Sequence, residues 1–80
     1  MRLNKYDIII LRTSLSLTQR QFGFVLNVTG EYISMIEKGK KPLTDKMSRE
    51  IIERFAINEP VFTAIRLLSN RLQELQNAGK

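Results

Sequence analysis

Leu17-Thr18-Gln19-Arg20-Gln21-Phe22-Gly23-Phe24-Val25-Leu26-Asn27-Val28-Thr29-Gly30-Glu31-Tyr32-Ile33-Ser34-Met35-Ile36-Glu37-Lys38-Gly39-Lys40 is the stretch whose reading decides the fold. Thr18 and Thr29 each precede an apolar run and can accept from the unpaired N–H groups of a first helical turn. Thr18 and Gln21 have the spacing of a capping box. The first run predicts a short helix from Gln19 to about Val25. The second predicts a helix that carries Ile33 and Ile36 inward and ends at Lys38-Gly39, with Gly39 as the left-handed residue past its end. Asn27 tolerates the left-handed backbone that a tight turn between two helices needs. The stretch therefore reads as two short helices joined by a turn of about three or four residues.

The same periodicity of three and four extends to both sides, and with only four Gly and two Pro it predicts an all-α chain. Asn4 caps a first helix to about Ser14 that presents Ile8, Leu11 and Leu15 on one face, while Ile9 and Ile10 point elsewhere. Lys40-Lys41-Pro42-Leu43 reads as a loop, because Pro42 disfavours helical geometry at Lys41. Thr44 caps a fourth helix through about Phe55, with Met47, Ile51, Ile52 and Phe55 inward. Asn58-Glu59-Pro60 starts a fifth and longest helix. On it Val61, Ile65, Leu68, Leu72 and Leu75 are spaced four, three, four and three, the seam of a two-heptad coiled coil. The expected division is a five-helix unit with residues 1–57 as its main body and 58–80 as a C-terminal helix that associates with a second copy.

Eighty residues leave no room for a separate catalytic domain. With 42% hydrophobic and 26% charged residues the chain has globular composition. It contains neither Cys nor His, which removes thiolate and imidazole ligands, triads and zinc sites together. No pair of catalytic groups converges, so no enzyme and no cofactor is expected, and any metal would be carboxylate-bound. The lack of Cys suits a reducing cytosol. No apolar run approaches the roughly 20 residues of a membrane span, and residues 1–7 lack a signal-peptide core. A net charge of +5, from 13 Lys and Arg against 8 Asp and Glu, points to a polyanionic partner.

Leu17-Thr18-Gln19, Phe22-Gly23, Val28-Thr29, Ile33-Ser34, Ile36-Glu37 and Gly39-Lys40 fall in fixed order and without a gap in a pattern that resembles the Cro/C1-type (XRE-like) helix-turn-helix family, over roughly residues 8 to 55. Gly23 stands where that family prefers Ala, at a cost of about 1 kcal/mol in helix propensity. Asn27 stands where it prefers Gly. The resemblance implies a lambda-repressor-like fold, double-stranded DNA as partner and a role in transcription regulation in a bacterial or phage-infected cytoplasm, near the nucleoid. It further implies that Gln19 contacts a phosphate and that Arg12 and Glu37 form a partly buried ion pair, so that Arg12 is scaffold.

A helix fits the major groove and its first outward residues reach base edges when a preceding helix braces it on the phosphates. With Ile33 and Ile36 inward, Thr29, Gly30, Glu31, Ser34 and Met35 are the candidate base readers. Glu31 can accept from a cytosine amino group and Met35 can touch a thymine methyl, whereas Gly30 offers no side chain, which leaves Tyr32 and Ser34 as substitutes. Lys38, Lys40, Lys41, Lys46 and Arg49, with Gln19, are the candidate phosphate contacts, and only Asp45 opposes them between positions 38 and 49. Ile65, Leu68, Leu72 and Leu75 predict a homodimer that spaces two reading helices about one helical turn apart on an inverted repeat. A small repressor and an antitoxin whose main partner is a protein both fit this description, as does a protein-interaction module that kept the shape alone.

Overall fold

The computed structural model describes residues 1–78, which form five helices: α1 (Lys5–Ser14), α2 (Gln19–Val25), α3 (Gly30–Glu37), α4 (Asp45–Arg54) and α5 (Glu59–Ala78). Gly79 and Lys80, the end of the expected C-terminal segment, lie outside the described residues.

Every helix begins where the sequence places a cap. Asn4 accepts from the Asp7 N–H at 3.0 Å while Asp7 accepts from the Asn4 N–H at 2.8 Å. Thr18 and Gln21 repeat this reciprocal box at 3.0 and 2.8 Å. Thr29 accepts from Tyr32, Thr44 from Met47 and Asn58 from Val61. Each such cap contributes about 1 kcal/mol.

The first four helices also share one ending. Ser16, Asn27, Gly39 and Ala56 all have positive φ, and the residue after each donates its N–H back into the helix: Leu17 to Arg12, Val28 to Gly23, Lys40 to Met35 and Ile57 to Ile52. This is the Schellman arrangement, which satisfies carbonyls that a helix end leaves open. It occurs here with glycine at one of the four positions.

Ile8, Phe22, Ile33, Ile36 and Ile51 have essentially no solvent exposure and, with Leu3, Leu11, Leu26, Ile57 and Ile65, form one core. Met47, Ile52 and Phe55 pack against it, and so does Ile10, which the helical period had directed away. The Phe22 and Phe55 rings stack with centroids 5.0 Å apart, an arrangement that adds to their area burial. Leu15 departs from expectation: it is the C-cap of α1, about half exposed, because the chain turns away after Ser14.

Ile57 and Ile65 tie the start of α5 into the same core as α1 to α4. A polar clamp reinforces this. The buried Asp7 carboxylate accepts from Arg66 Nε and Nη2 at 3.1 and 2.8 Å and from the Ser69 hydroxyl. Arg66 also donates to the Arg2 carbonyl and lies over the Phe62 ring. Its hydrogen bonds to Asp7 raise the guanidinium pKa above its ordinary value, against the opposing effect of partial burial. No helix among the described residues is long and apolar enough to cross a membrane.

Candidate nucleic-acid interface

α2 and α3 pack closely because two glycines let their backbones meet. A Cβ on Gly23 would lie 2.6 Å from the Val28 carbonyl oxygen and 2.9 Å from that of Thr29. A Cβ on Gly30 would lie 2.8 Å from both the backbone N and the Cα of Arg20. Gly23 is therefore not a weakened alanine position, as helix propensity alone implies. It is a close-approach glycine that fixes how α3 leaves the turn.

The pair encloses an open groove whose walls include Gln19, Arg20, Thr29, Gly30, Glu31 and Ser34. Ile33 and Ile36 face the core, so Thr29 and Glu31 are exposed, and Ser34 and Met35 are half-buried. The Thr29 oxygen holds the Tyr32 N–H and keeps its own hydrogen to donate. Gly30, expected among the base readers without a side chain of its own, sits where a Cβ would meet the Arg20 backbone.

A bidentate ion pair braces this face from behind. Arg12 Nε lies 2.7 Å from Glu37 Oε2 and Nη2 lies 3.0 Å from Oε1, while Nη1 donates to the Leu17 carbonyl. Glu37 is the more buried partner, at 7% side-chain exposure against 16% for Arg12. Gln19 was expected on phosphate, yet its amide nitrogen donates to Glu37 Oε1 at 3.1 Å. One carboxylate thus joins the end of α1, the start of α2 and the end of α3, and the half-buried Gln19 spends one amide N–H on it while still lining the groove.

Lys38, Lys40, Lys41 and Lys46 are exposed and form no ion pair or side-chain hydrogen bond among the described residues, and Arg49 is likewise exposed and unpaired. Asp45, the one acid in their midst, pairs with Arg2 at 2.9 Å. Arg2 also donates to the Leu43 and Thr44 carbonyls. It holds the end of the basic loop and offsets the charge that would repel a polyanion; its distance in sequence left no signal of this role.

On α5, Ile65 is 6% exposed and belongs to the core of its own chain, which takes it out of the expected seam. Leu68 and Leu75 are more than half exposed, Leu72 is half-buried, and Leu67 adds an apolar side chain that the heptad spacing omitted. Phe24, on the outer side of α2, is the most exposed large hydrophobic side chain described, at 86%. Its position in an amphipathic run gave no reason to single it out.

No curated protein and no solved structure matches the chain significantly. The model of the helix-turn-helix family matches residues 8–62, from within α1 to the first turn of α5. That span contains α2, α3, the Arg12–Glu37 brace and the basic loop. With its five helices and these paired elements in a lambda-repressor-like arrangement, the chain belongs to the Cro/C1-type, XRE-like helix-turn-helix family of DNA-binding transcription regulators.

Proposed function

We propose that the protein is a repressor that binds an inverted-repeat operator as a homodimer, laying the start of α3 in the major groove and covering a promoter. The observation that carries this reading is the cation group Lys38, Lys40, Lys41 and Lys46, unpaired among the described residues, which follows directly on a helix whose Thr29, Glu31, Ser34 and Met35 are not taken up by the core. The lysines neutralise phosphates and set the register; the α3 side chains read base edges. Residues 58–80 act as the dimerisation element through Leu68, Leu72 and Leu75. Occupancy is then governed by protein concentration in the cytoplasm, since two weakly held protomers must meet before both half-sites are filled.

Selection of binding sites from a random duplex pool, with the recovered sequences retested at two salt concentrations, tests this. An inverted repeat with half-sites about one helical turn apart is the expected result. Binding without enrichment that disappears as salt rises would overturn sequence reading. One observation favours a second reading, in which the main partner is a protein, as for an antitoxin: the exposure of Phe24 beside the groove.

A further inference from the structure

We infer that Arg20 on α2 is a base-reading residue and that, with Glu31, it reads a G·C pair at the position that the side-chainless Gly30 leaves unread. The inference rests on the DNA-binding reading above and names a determinant of its specificity. Three observations support it. A Cβ on Gly30 would lie 3.2 Å from the Arg20 Cβ, so the Arg20 side chain begins beside the point where a side chain at position 30 would begin. Arg20 is exposed and has no ion pair or side-chain hydrogen bond among the described residues. It shares the groove between α2 and α3 with Thr29, Glu31 and Ser34.

The chemistry of the two charged groups is complementary to one base pair. A guanidinium donates two parallel hydrogen bonds to guanine O6 and N7, and a carboxylate accepts from the cytosine amino group. The arrangement also accounts for an acid on a helix that approaches phosphates: Glu31 is accompanied in the groove by Arg20, so the local charge facing the duplex is balanced rather than negative.

The test compares the full chain with Arg20→Ala and Arg20→Lys in site selection and in salt-dependent binding to the selected duplex. The wild type is expected to enrich a half-site with one invariant G·C pair that R20A no longer enriches while the rest of the site is retained. R20A is expected to bind the selected duplex about tenfold more weakly or worse, and to bind a duplex changed at that one pair as the wild type does. R20K, which keeps the charge and loses the fork, is expected to lose the same preference with the salt slope preserved. Melting temperatures equal to that of the wild type exclude a folding effect. Uniform weakening on every duplex with a salt slope reduced by about one would make Arg20 a phosphate contact and overturn the inference, as would unchanged selection by R20A. A wild type that enriches nothing would instead refute the DNA-reading function itself, and the inference with it.

Discussion

Arg66 reaches across from α5 to place Nη2 2.8 Å from Oδ2 of Asp7, a carboxylate with no side-chain exposure. The same carboxylate accepts from the Asn4 N–H and the Ser69 hydroxyl, so one buried acid both caps α1 and fastens α5 to it. Asp7→Ala removes the acceptor for all of these donors and is expected to destabilise the chain by about 3 kcal/mol. This is the low end for a buried pair, because water reaches a third of the Arg66 side chain. Chemical denaturation measures it, and a loss under about 1 kcal/mol would refute the clamp. The pH dependence has a definite sign. A guanidinium with a raised pKa contributes stability that is fully present below its unfolded value and is lost only as pH rises through the folded one. The stability difference between the wild type and Arg66→Met should accordingly stay constant from roughly pH 7 to 10.

Gly23→Ala separates two arguments that point in opposite directions. Helix propensity favours the alanine by about 1 kcal/mol. The backbone oxygens at 2.6 and 2.9 Å from the new Cβ cannot rotate away as a flexible side chain would. Overpacking of about 1–3 kcal/mol should prevail, and a thermal melt should show a lower midpoint than the wild type. A higher midpoint would mean that α3 moves out to admit the methyl group at little cost.

The contrast marks what was legible in the sequence. Caps are local, so Asn4, Thr18, Thr29, Thr44 and Asn58 gave all five helix starts, and the apolar period gave Ile8, Ile33, Ile36 and Ile51 their places. Asn27 and Gly39 announced their left-handed turns, whereas Ser16 and Ala56 did not, since neither residue type prefers that backbone. The close approach at Gly23 and Gly30 depends on where α3 lies, which the α2 sequence does not encode on its own. The contacts of Gln19 with Glu37, Arg2 with Asp45 and Arg66 with Asp7 join residues far apart in the chain. A polar side chain carries no mark of its distant partner, so Gln19 read only as a phosphate contact, and the roles of Arg2 and Arg66 in the scaffold left no signal.

Ala56 follows the C-cap of α4 with φ of 51°, a backbone that glycine adopts without the Cβ conflict. Ala56→Gly is expected to raise stability by about 1 kcal/mol, because the relief of left-handed strain exceeds the added freedom of the unfolded chain. The gain would appear in the denaturation midpoint with an unchanged slope. A loss would show that the methyl group of this exposed alanine contributes packing that outweighs the strain.

Arg12 and Glu37 hold three helix ends through one bidentate pair, so removal of either charge should act on the fold before it acts on DNA. Arg12→Ala leaves a 7%-exposed carboxylate with the Gln19 amide as its remaining side-chain partner and is expected to cost about 3–5 kcal/mol. Glu37→Gln keeps the shape and should cost less, while leaving the guanidinium unpaired. If Arg12→Ala keeps the wild-type melting temperature and weakens only DNA binding, Arg12 belongs to the interface and not to the scaffold.

The leucines of α5 allow protomer stability and association to be measured separately. Ile65 is 6% exposed and shares the core with Ile8 and Ile57, so Ile65→Ala should lower stability by about 2–4 kcal/mol whatever the oligomeric state. Leu68 and Leu75 are 56% and 57% exposed in the single chain, and their truncation removes little from its own core. If these side chains meet a second copy, Leu68→Glu with Leu75→Glu should convert a dimer to a monomer in sedimentation experiments and leave the monomer's unfolding transition in place. The same double variant should weaken binding to an inverted repeat far more than to an isolated half-site, since only the former draws on two linked reading helices. Equal loss on both duplexes would mean that α5 steadies the α3 face from within one chain, and that the two half-sites are filled independently.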